Sequence, residues 1–363
     1  MYLKQISINN FKNIEQTDLE FSQNMNCFLG NNGEGKTNLL DAVYYLSITK
    51  SFFNNTDRQN IKHNENYFII QGHFVRKGND EKIYCGVQNG EKIFKRNNRQ
   101  YQRFADHLGI IPLVMISPTD ISLINDTGDE RRRYFNSVMS QLDIVYLENL
   151  VKYNRALMQR NKLLKQIKEK NDIIAVFNEQ LNEYAQIIYH KRKQFIEEIQ
   201  NYFTQVYAQV SNGGEQVSIT YKSDLNEHNF IDLLENSFEK DCIMQHTTTG
   251  IHRDDIIMQM NGYPIKKIGS QGQQKTFLIA LKLTQFNFFK QQTGIAPILL
   301  LDDIFDKLDL QRVQHLISLV DGNGFGQIFM TDSNKTRMDK ILGQHKKSFS
   351  LFNVEKGKIT KIT

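Results

Sequence analysis

The sequence predicts an α/β fold interrupted by a helical insertion, and three observations predict it. A glycine-rich loop, Gly30-Asn31-Asn32-Gly33-Glu34-Gly35-Lys36-Thr37, lies between a short strand-like run and a helix-like run. An unbroken apolar run, Ile298-Leu299-Leu300-Leu301, ends in Asp302 and Asp303, the pattern of a strand buried on both faces. Between these two segments, 129–209 contains neither proline nor glycine and reads as long helices.

The elements follow in order. Leu3, Ile6 and Ile8, then Leu19 and Phe21, mark two strands. Met25–Leu29 is a short strand feeding the glycine loop. From Lys36 the pattern turns helical, with Leu39, Leu40, Val43, Tyr44 and Leu46 on a broad apolar face. Tyr67 to Ile70, Lys82 to Cys85 and Pro112 to Ile116 read as further strands. In the insertion, Leu147, Leu150, Leu157 and Leu164 recur at heptad-like intervals, with Asn154 and Asn161 at two intervening seam positions. Asn171-Asp172 punctuates a turn, and a second helix runs from Ile173 past Phe203, so two antiparallel helices fit the length. Mixed structure returns after Gly213-Gly214, and a strand-like tail covers 348–359. The expected division is a core half over 1–120, a helical lid over 121–245 and a second core half over 246–363.

Composition narrows the class. The chain has 363 residues, 40% hydrophobic and 23% charged, which is ordinary for a soluble protein. No apolar run approaches the ~18 residues of a spanning helix, and no membrane association is expected. Met1-Tyr2-Leu3-Lys4 lacks a signal-peptide profile, and a cytoplasmic location is expected. Cys27, Cys85 and Cys242 are few, odd in number and far apart, which argues against a disulfide framework or a zinc site.

The glycine loop has the Gly-x4-Gly-Lys-Thr spacing of a Walker A loop in the required strand–loop–helix setting. Glycines let the backbone turn its N–H groups inward around phosphate oxygens, and the helix that starts there adds its positive end. Lys36 is then the β- and γ-phosphate contact, and the Thr37 hydroxyl a Mg²⁺ ligand. The cofactors implied are ATP and Mg²⁺. Asp302 and Asp303 fall just past a buried strand, where open α/β sheets place ligands. We assign Asp302 to Mg²⁺ and Asp303 to orienting the attacking water. Ser270-Gln271-Gly272-Gln273 lies 32 residues before Asp302, the order of the signature motif in ABC-type ATPases, where it faces a γ-phosphate held by another subunit. Each motif also has a plainer explanation: a tight turn, a solvated strand end, and a capping box on a core helix. Together they predict an ABC-type P-loop ATPase head with a helical lid insertion.

The chain resembles the RecF family, bacterial DNA-repair ATPases related to the heads of structural-maintenance-of-chromosomes proteins. The resemblance rests on Asn10-Phe11-Lys12-Asn13-Ile14, Ser117-Pro118-Thr119-Asp120 and Glu130-Arg131-Arg132-Arg133. It continues through Gly250-Ile251-His252-Arg253-Asp254-Asp255, the stretch from Gly269 to Lys275, and the segment from Phe352 to Ile359. It implies an ATP-dependent homodimer that binds DNA at single-strand gaps. It also implies cooperation with RecO and RecR in loading RecA, and support of the SOS response and replication recovery. Asp309 would then lie in the loop that touches the opposite subunit. Three departures stand out: Lys275 where arginine is usual, Asp306-Lys307 before Leu308, and Thr331 where transporter ATPases carry a switch histidine. Slow hydrolysis is therefore expected.

Charge points to where DNA would sit. Residues 129–193 carry 13 Lys and Arg against 8 Asp and Glu, an excess equal to the +5 of the whole chain. The candidates are Arg131, Arg132, Arg133, Arg155, Arg160, Lys162, Lys165, Lys191, Arg192 and Lys193, contacting phosphates without sequence preference. For any one of them a solvated surface is the simpler reading. His252 beside Asp254 and Asp255 is read as a structural turn. Three other classes compete with this reading. A chromosome-tethering protein needs a far longer coiled coil. A transporter subunit should carry the switch histidine, and a metabolic kinase has no use for Ser270.

Overall fold

The computed structural model describes residues 1–167, 169, 171–211, 214–304, 324–337, 343 and 349–362. They fall into two compact units, Met1–Asp120 with Lys282–Thr363, and Ile121–Leu281. Among the described residues no helix is long and apolar enough to cross a membrane.

The first unit contains two sheets. One is antiparallel: β1 (Tyr2–Phe11), β2 (Ile14–Glu20), β4 (Tyr67–Arg76), β5 (Asn79–Gln88), β6 (Glu91–Arg96) and β7 (Arg99–Gln100), in the order β2-β1-β4-β5-β6-β7. The other runs β15-β14-β3-β13-β12-β8. It comprises β3 (Met25–Leu29), β8 (Leu113–Ile116), β12 (Ile298–Leu301), β13 (Ile328–Asp332), β14 (Phe349–Glu355) and β15 (Lys358–Lys361). All its pairings are parallel except the β14–β15 hairpin. Register matters for function. Thr331 pairs with Phe28 and Leu301 with Met330, so β3 and β12 end on either side of β13.

Helix α1 (Lys36–Ile48) packs against strands of both sheets. Leu39, Leu40, Ala42, Val43, Tyr45 and Leu46 are all fully buried. The sequence suggests one apolar face; the structure buries nearly the whole circumference, as expected for a helix covered on two sides. Phe21, Phe28, Phe329 and Phe352 fill the floor below it, with Phe28 and Phe352 stacked at 4.9 Å. Because these aromatic rings lock β3, β13 and β14 together, the loop leaving β3 starts from a rigid base.

The second unit is mainly helical. It holds α2 (Ser122–Asn125), α3 (Gly128–Leu142), α4 (Ile144–Leu164), α5 (Asp172–Ser211), α6 (Phe230–Asn236), α7 (Phe238–Met244) and α8 (Ile265–Ile268). A small sheet pairs β9 (Val217–Lys222), β10 (Asp255–Met260) and β11 (Tyr263–Pro264). Helix α9 (Gln271–Thr293) begins here and ends in the first unit. The unit keeps β10, β11 and the signature turn, whereas the sequence division ends the lid at 245.

The α4–α5 hairpin is antiparallel, as its partners show. Arg160 meets Asn178, while Tyr146, fourteen residues earlier, meets Arg192, fourteen later. Asn171 caps α5 by accepting from the Ile174 N–H at 3.0 Å. The leucine seam is realised in part: Leu147 and Leu164 are buried, whereas Leu150 and Leu157 are half-buried. Tyr146, Tyr153, Ala156 and Arg160 face inward, while Asn154 is exposed. Leucine spacing misses this because the buried positions are polar groups satisfied from elsewhere. Tyr153 bonds the His252 ring at 2.8 Å, and Arg160 reaches Asp241 at 2.8 Å and Thr247 at 2.7 Å.

Arg160 and Asp241 both have fully buried side chains. Removing one partner of such a pair strands a charge and costs about 3–5 kcal/mol. Arg160→Ala should therefore lower the unfolding free energy by that amount, read from urea denaturation. A loss under ~1 kcal/mol, the usual worth of a surface pair, contradicts the burial argument.

Candidate nucleotide site

The glycine loop turns tightly enough to close on its own lysine. The Lys36 ammonium, buried with the rest of its side chain, donates to the Gly30 carbonyl at 2.8 Å and the Asn31 carbonyl at 3.0 Å. Gly35 has φ 110, a conformation strained for any residue with a Cβ. Gly30 is constrained differently: a Cβ there would lie 2.3 Å from the Val354 carbonyl oxygen on β14. The loop is therefore shaped by close backbone approach, and α1 starts immediately after it.

Asp302 follows β12 and is 4% exposed. Its Oδ1 accepts from the Thr37 hydroxyl at 2.8 Å and from the Thr331 hydroxyl at 3.0 Å. Three elements thus meet at one oxygen: the start of α1, the end of β12 and the end of β13. Burial raises the Asp302 carboxyl above the usual aspartate range; the Thr37 and Thr331 hydroxyls act against that shift, and neighbouring Asp303 adds to it. Asp303 has φ 45, uncommon outside glycine and typical of functional sites. Its N–H donates to the Thr331 hydroxyl at 2.9 Å. Thr331 therefore pins both adjacent acids, a role the sequence reading did not give it; the usable signal was its position at the end of the strand beside β12.

These donors suit a magnesium–nucleotide complex. A hydroxyl and a carboxylate converge, and Mg²⁺ takes only one or two protein oxygens when phosphates and water supply the rest. Thr37 and Asp302 would hold the ion, which screens phosphate charge when bound. The protein's own contribution is to fix those oxygens and keep Lys36 beside them.

The signature turn forms the expected capping box. Gln273 Oε1 accepts from the Ser270 N–H at 2.8 Å, and the Ser270 hydroxyl accepts from the Gln273 N–H at 3.3 Å. Gln273 also donates to Glu215 at 3.0 Å. Ser270 and Gln271 are exposed, and Gly272 is half-buried, so the N-terminal end of α9 is open to solvent. Asp306, Lys307, Leu308 and Asp309 lie outside the described residues.

Comparison with known proteins identifies the family. Residues 2–360 match the family model for the RecF/RecN/SMC N terminal domain. A "DNA replication and repair protein RecF" from Phocaeicola vulgatus is 48% identical, over 99% of this chain and 98% of the relative. The chain belongs to the RecF family. Its relative of that name in Flavobacterium johnsoniae is 43% identical over 98% of this chain and all of the other. A solved structure of RecF with ATP, described as a recombination mediator of the RecFOR pathway, superposes with a TM-score of 0.90. It shares 31% identity, covering 100% of this chain and 98% of that one. An Smc head bound to the C-winged helix domain of ScpA gives 0.57 at 15% identity, over 100% of this chain and 98% of that one, which speaks to the fold alone. RecF-family membership thus carries the ABC-type head fold and places the chain among DNA replication and repair proteins.

The structure divides the ten cations sequence reading assigned to DNA. Arg160 and Arg192 are corrected outright. Arg160 is sealed against Asp241, and Arg192 is held by Asp254 at 3.1 Å and the Ile251 carbonyl at 2.7 Å. Both are core ion pairs with no guanidinium to offer a phosphate. Arg131 is clamped on Asp255 at 2.7 and 2.9 Å, and Arg132 on Asp129 and the Asp254 carbonyl. Lys191 pairs with Asp143. The Gly250-to-Asp255 segment is accordingly a structural hub, and burial holds the His252 imidazole down to about 4. Exposed cations remain at Arg133, which pairs with Glu130 at 2.8 Å, and at Arg155, Lys162, Lys165 and Lys193. Arg155, Lys162 and Lys165 fall on one line with exposed Val151 and Met158, a seven-residue periodic stripe along α4 that ends at its C-cap, Lys165.

The raised Asp302 carboxyl gives a pH signature. It must lose its proton to hold a cation, so binding releases one. Mg²⁺-dependent ATP affinity should fall as pH drops, starting above the pH where an ordinary aspartate titrates. ATP binding in EDTA should lack that phase. Titration calorimetry across pH checks this, and an identical profile with and without Mg²⁺ contradicts it.

Proposed function

We propose that this chain is an ATP-dependent DNA-binding protein of recombinational repair, in which ATP binding closes a homodimer around DNA and slow hydrolysis opens it. Residues 1–120 and 246–363 act as the two halves of the ATPase core, and 121–245 as the lid. Each nucleotide contacts the loop from Gly30 to Thr37 in one subunit and Ser270, Gln271, Gly272 and Gln273 in the other. Lys36 neutralises the β- and γ-phosphates, Thr37 and Asp302 bind Mg²⁺, and Asp303 orients the attacking water. ATP favours the dimer because it binds that state better than the monomer. By likeness to the RecFOR-pathway relative, RecO and RecR are the partners, RecA the recombinase loaded and the SOS response the wider setting.

The single observation that carries this reading is the 2.8 Å hydrogen bond between Thr37 and Asp302, 265 residues apart in sequence. It puts the phosphate-loop hydroxyl and the strand-end carboxylate on one point, as magnesium–nucleotide chemistry requires. The exposed α9 terminus supports a contact made in trans. On the lid, the α4 stripe of Arg155, Lys162 and Lys165 is the surface we assign to DNA phosphates, with Lys193 and Arg133 as further candidates.

Light scattering tests the clamp. Asp303→Asn should lose turnover by at least about a hundredfold, the scale of a positioned base, and double its mass with Mg²⁺–ATP. Lys36→Met should stay monomeric. Adding Arg155→Glu, Lys162→Glu and Lys165→Glu to the trapped dimer should weaken duplex binding and flatten its salt dependence. A monomeric Asp303→Asn protein under saturating Mg²⁺–ATP overturns the clamp; unchanged DNA affinity overturns the stripe.

A further inference from the structure

The first hairpin ends in the two-residue turn Lys12-Asn13, between Phe11 and Ile14, which pair with each other. Lys12 takes φ 56, so the turn is tight and its two side chains point where the backbone forces them. Lys12 forms an ion pair with Asp41 of α1 at 2.6 Å. Asp41 is fully buried and also accepts from Ser51 and the Phe52 N–H. The turn is thus fastened to α1 whether or not Asn13 contributes.

Asn13 does something else. Its Nδ2 donates to the Glu34 carbonyl inside the glycine loop at 3.1 Å, and its Oδ1 accepts from Asn38 Nδ2 in the first turn of α1 at 2.8 Å. The amide therefore spans the junction where the loop becomes the helix. It also covers Gly35: a Cβ there would lie 2.6 Å from Asn13 Oδ1. A second brace acts on the same loop residue. The Gly357 N–H donates to the Glu34 carbonyl at 2.8 Å, and the Lys356 N–H to the Glu34 carboxylate. Glu34 is held from both sides, by the first hairpin of the chain and by the tip of β14–β15.

We propose that Asn13 is a positioning residue of the nucleotide site, holding Glu34 and Gly35 in the conformation that directs loop N–H groups toward phosphate. The proposal rests on the nucleotide reading above and deepens it. A phosphate-binding loop gains affinity by being arranged before the ligand arrives, since ordering it at binding costs free energy. Asn13 supplies that order without touching the ligand. Its two hydrogen bonds are half-buried, and the Lys12–Asp41 ion pair holds the turn without them, so their loss should cost affinity more than fold.

The test is an ATP titration with a fluorescent nucleotide, paired with thermal melts in the absence of nucleotide. Asn13→Ala should weaken binding about tenfold with a near-unchanged melt. Asn38→Ala, which leaves the Glu34 contact, should weaken it less. The double variant should be no weaker than Asn13→Ala alone, because both act through one amide. Asn13→Asp keeps the size and the acceptor for Asn38 but cannot donate to the Glu34 carbonyl. It should bind no better than the alanine variant, and it decides the matter if the alanine variant does not fold. Wild-type affinity in Asn13→Ala or Asn13→Asp overturns the proposal, as do Asn13 and Asn38 effects that multiply. Lys36→Met serves as the control. If wild-type protein and Lys36→Met bind ATP alike, the nucleotide site itself fails and this inference falls with it; if only Lys36→Met loses binding, failure of the Asn13 variants to respond concerns Asn13 alone.

Discussion

Asp302 is buried at the end of β12, and its carboxylate accepts hydroxyls from Thr37 and Thr331. An acid in that position is costly unless hydrogen-bonded or neutralised, and the surrounding structure is arranged around meeting that cost. Thr331 reaches it because β13 lies between β3 and β12 in parallel register. Thr37 reaches it because the glycine loop returns α1 across the ends of the strands. The aromatic floor and the double-sided burial of α1 hold those elements at fixed separation. Local packing in the first unit thereby sets the geometry that we assign to a cation site.

Much of this was legible in sequence, for identifiable reasons. The shape of the glycine loop was legible in residue type and spacing, because the positive φ of Gly35 and the close backbone approach at Gly30 tolerate little else. The strand of Ile298–Leu301 was readable because two-sided burial leaves no polar alternation. The capping box at Ser270 and Gln273 formed as read, since both partners sit within one helical turn. What failed depended on distant partners. Arg160 and Arg192 look like surface cations in a basic helix, and only Asp241 and Asp254, far along the chain, reveal them as core ions. The α4 seam was legible only in part for the same reason: Leu147 and Leu164 are buried, but Tyr146, Tyr153 and Arg160 share the inward face with them. Thr331 drew notice only at the place of a switch histidine, and Asn13 only within a family motif, because the contacts they make arise through register and a hairpin turn.

The corrected cations change how the second unit should be regarded. Five of the ten candidate cations, Arg131, Arg132, Arg160, Lys191 and Arg192, are tied to acids within the unit, and two of these, Arg160 and Arg192, lie in its interior. The remainder is concentrated, with Arg155, Lys162 and Lys165 sharing one exposed line on α4. A stripe of that kind meets a phosphate backbone at regular spacing and shows no base preference. The same unit carries the signature turn, so a single body presents both the surface we assign to DNA and the residues we assign to the partner's nucleotide.

The most direct measurement compares ATP binding with and without Mg²⁺ in wild-type protein and in Asp302→Asn. Asparagine keeps the oxygen that accepts from Thr37 and Thr331 while removing the charge and turning the second oxygen into an amide NH2. Mg²⁺ should tighten ATP binding to the wild type and leave the variant unchanged. Equal tightening in both would mean that the cation is held elsewhere, and that the carboxylate joining α1, β12 and β13 is an ordinary structural group.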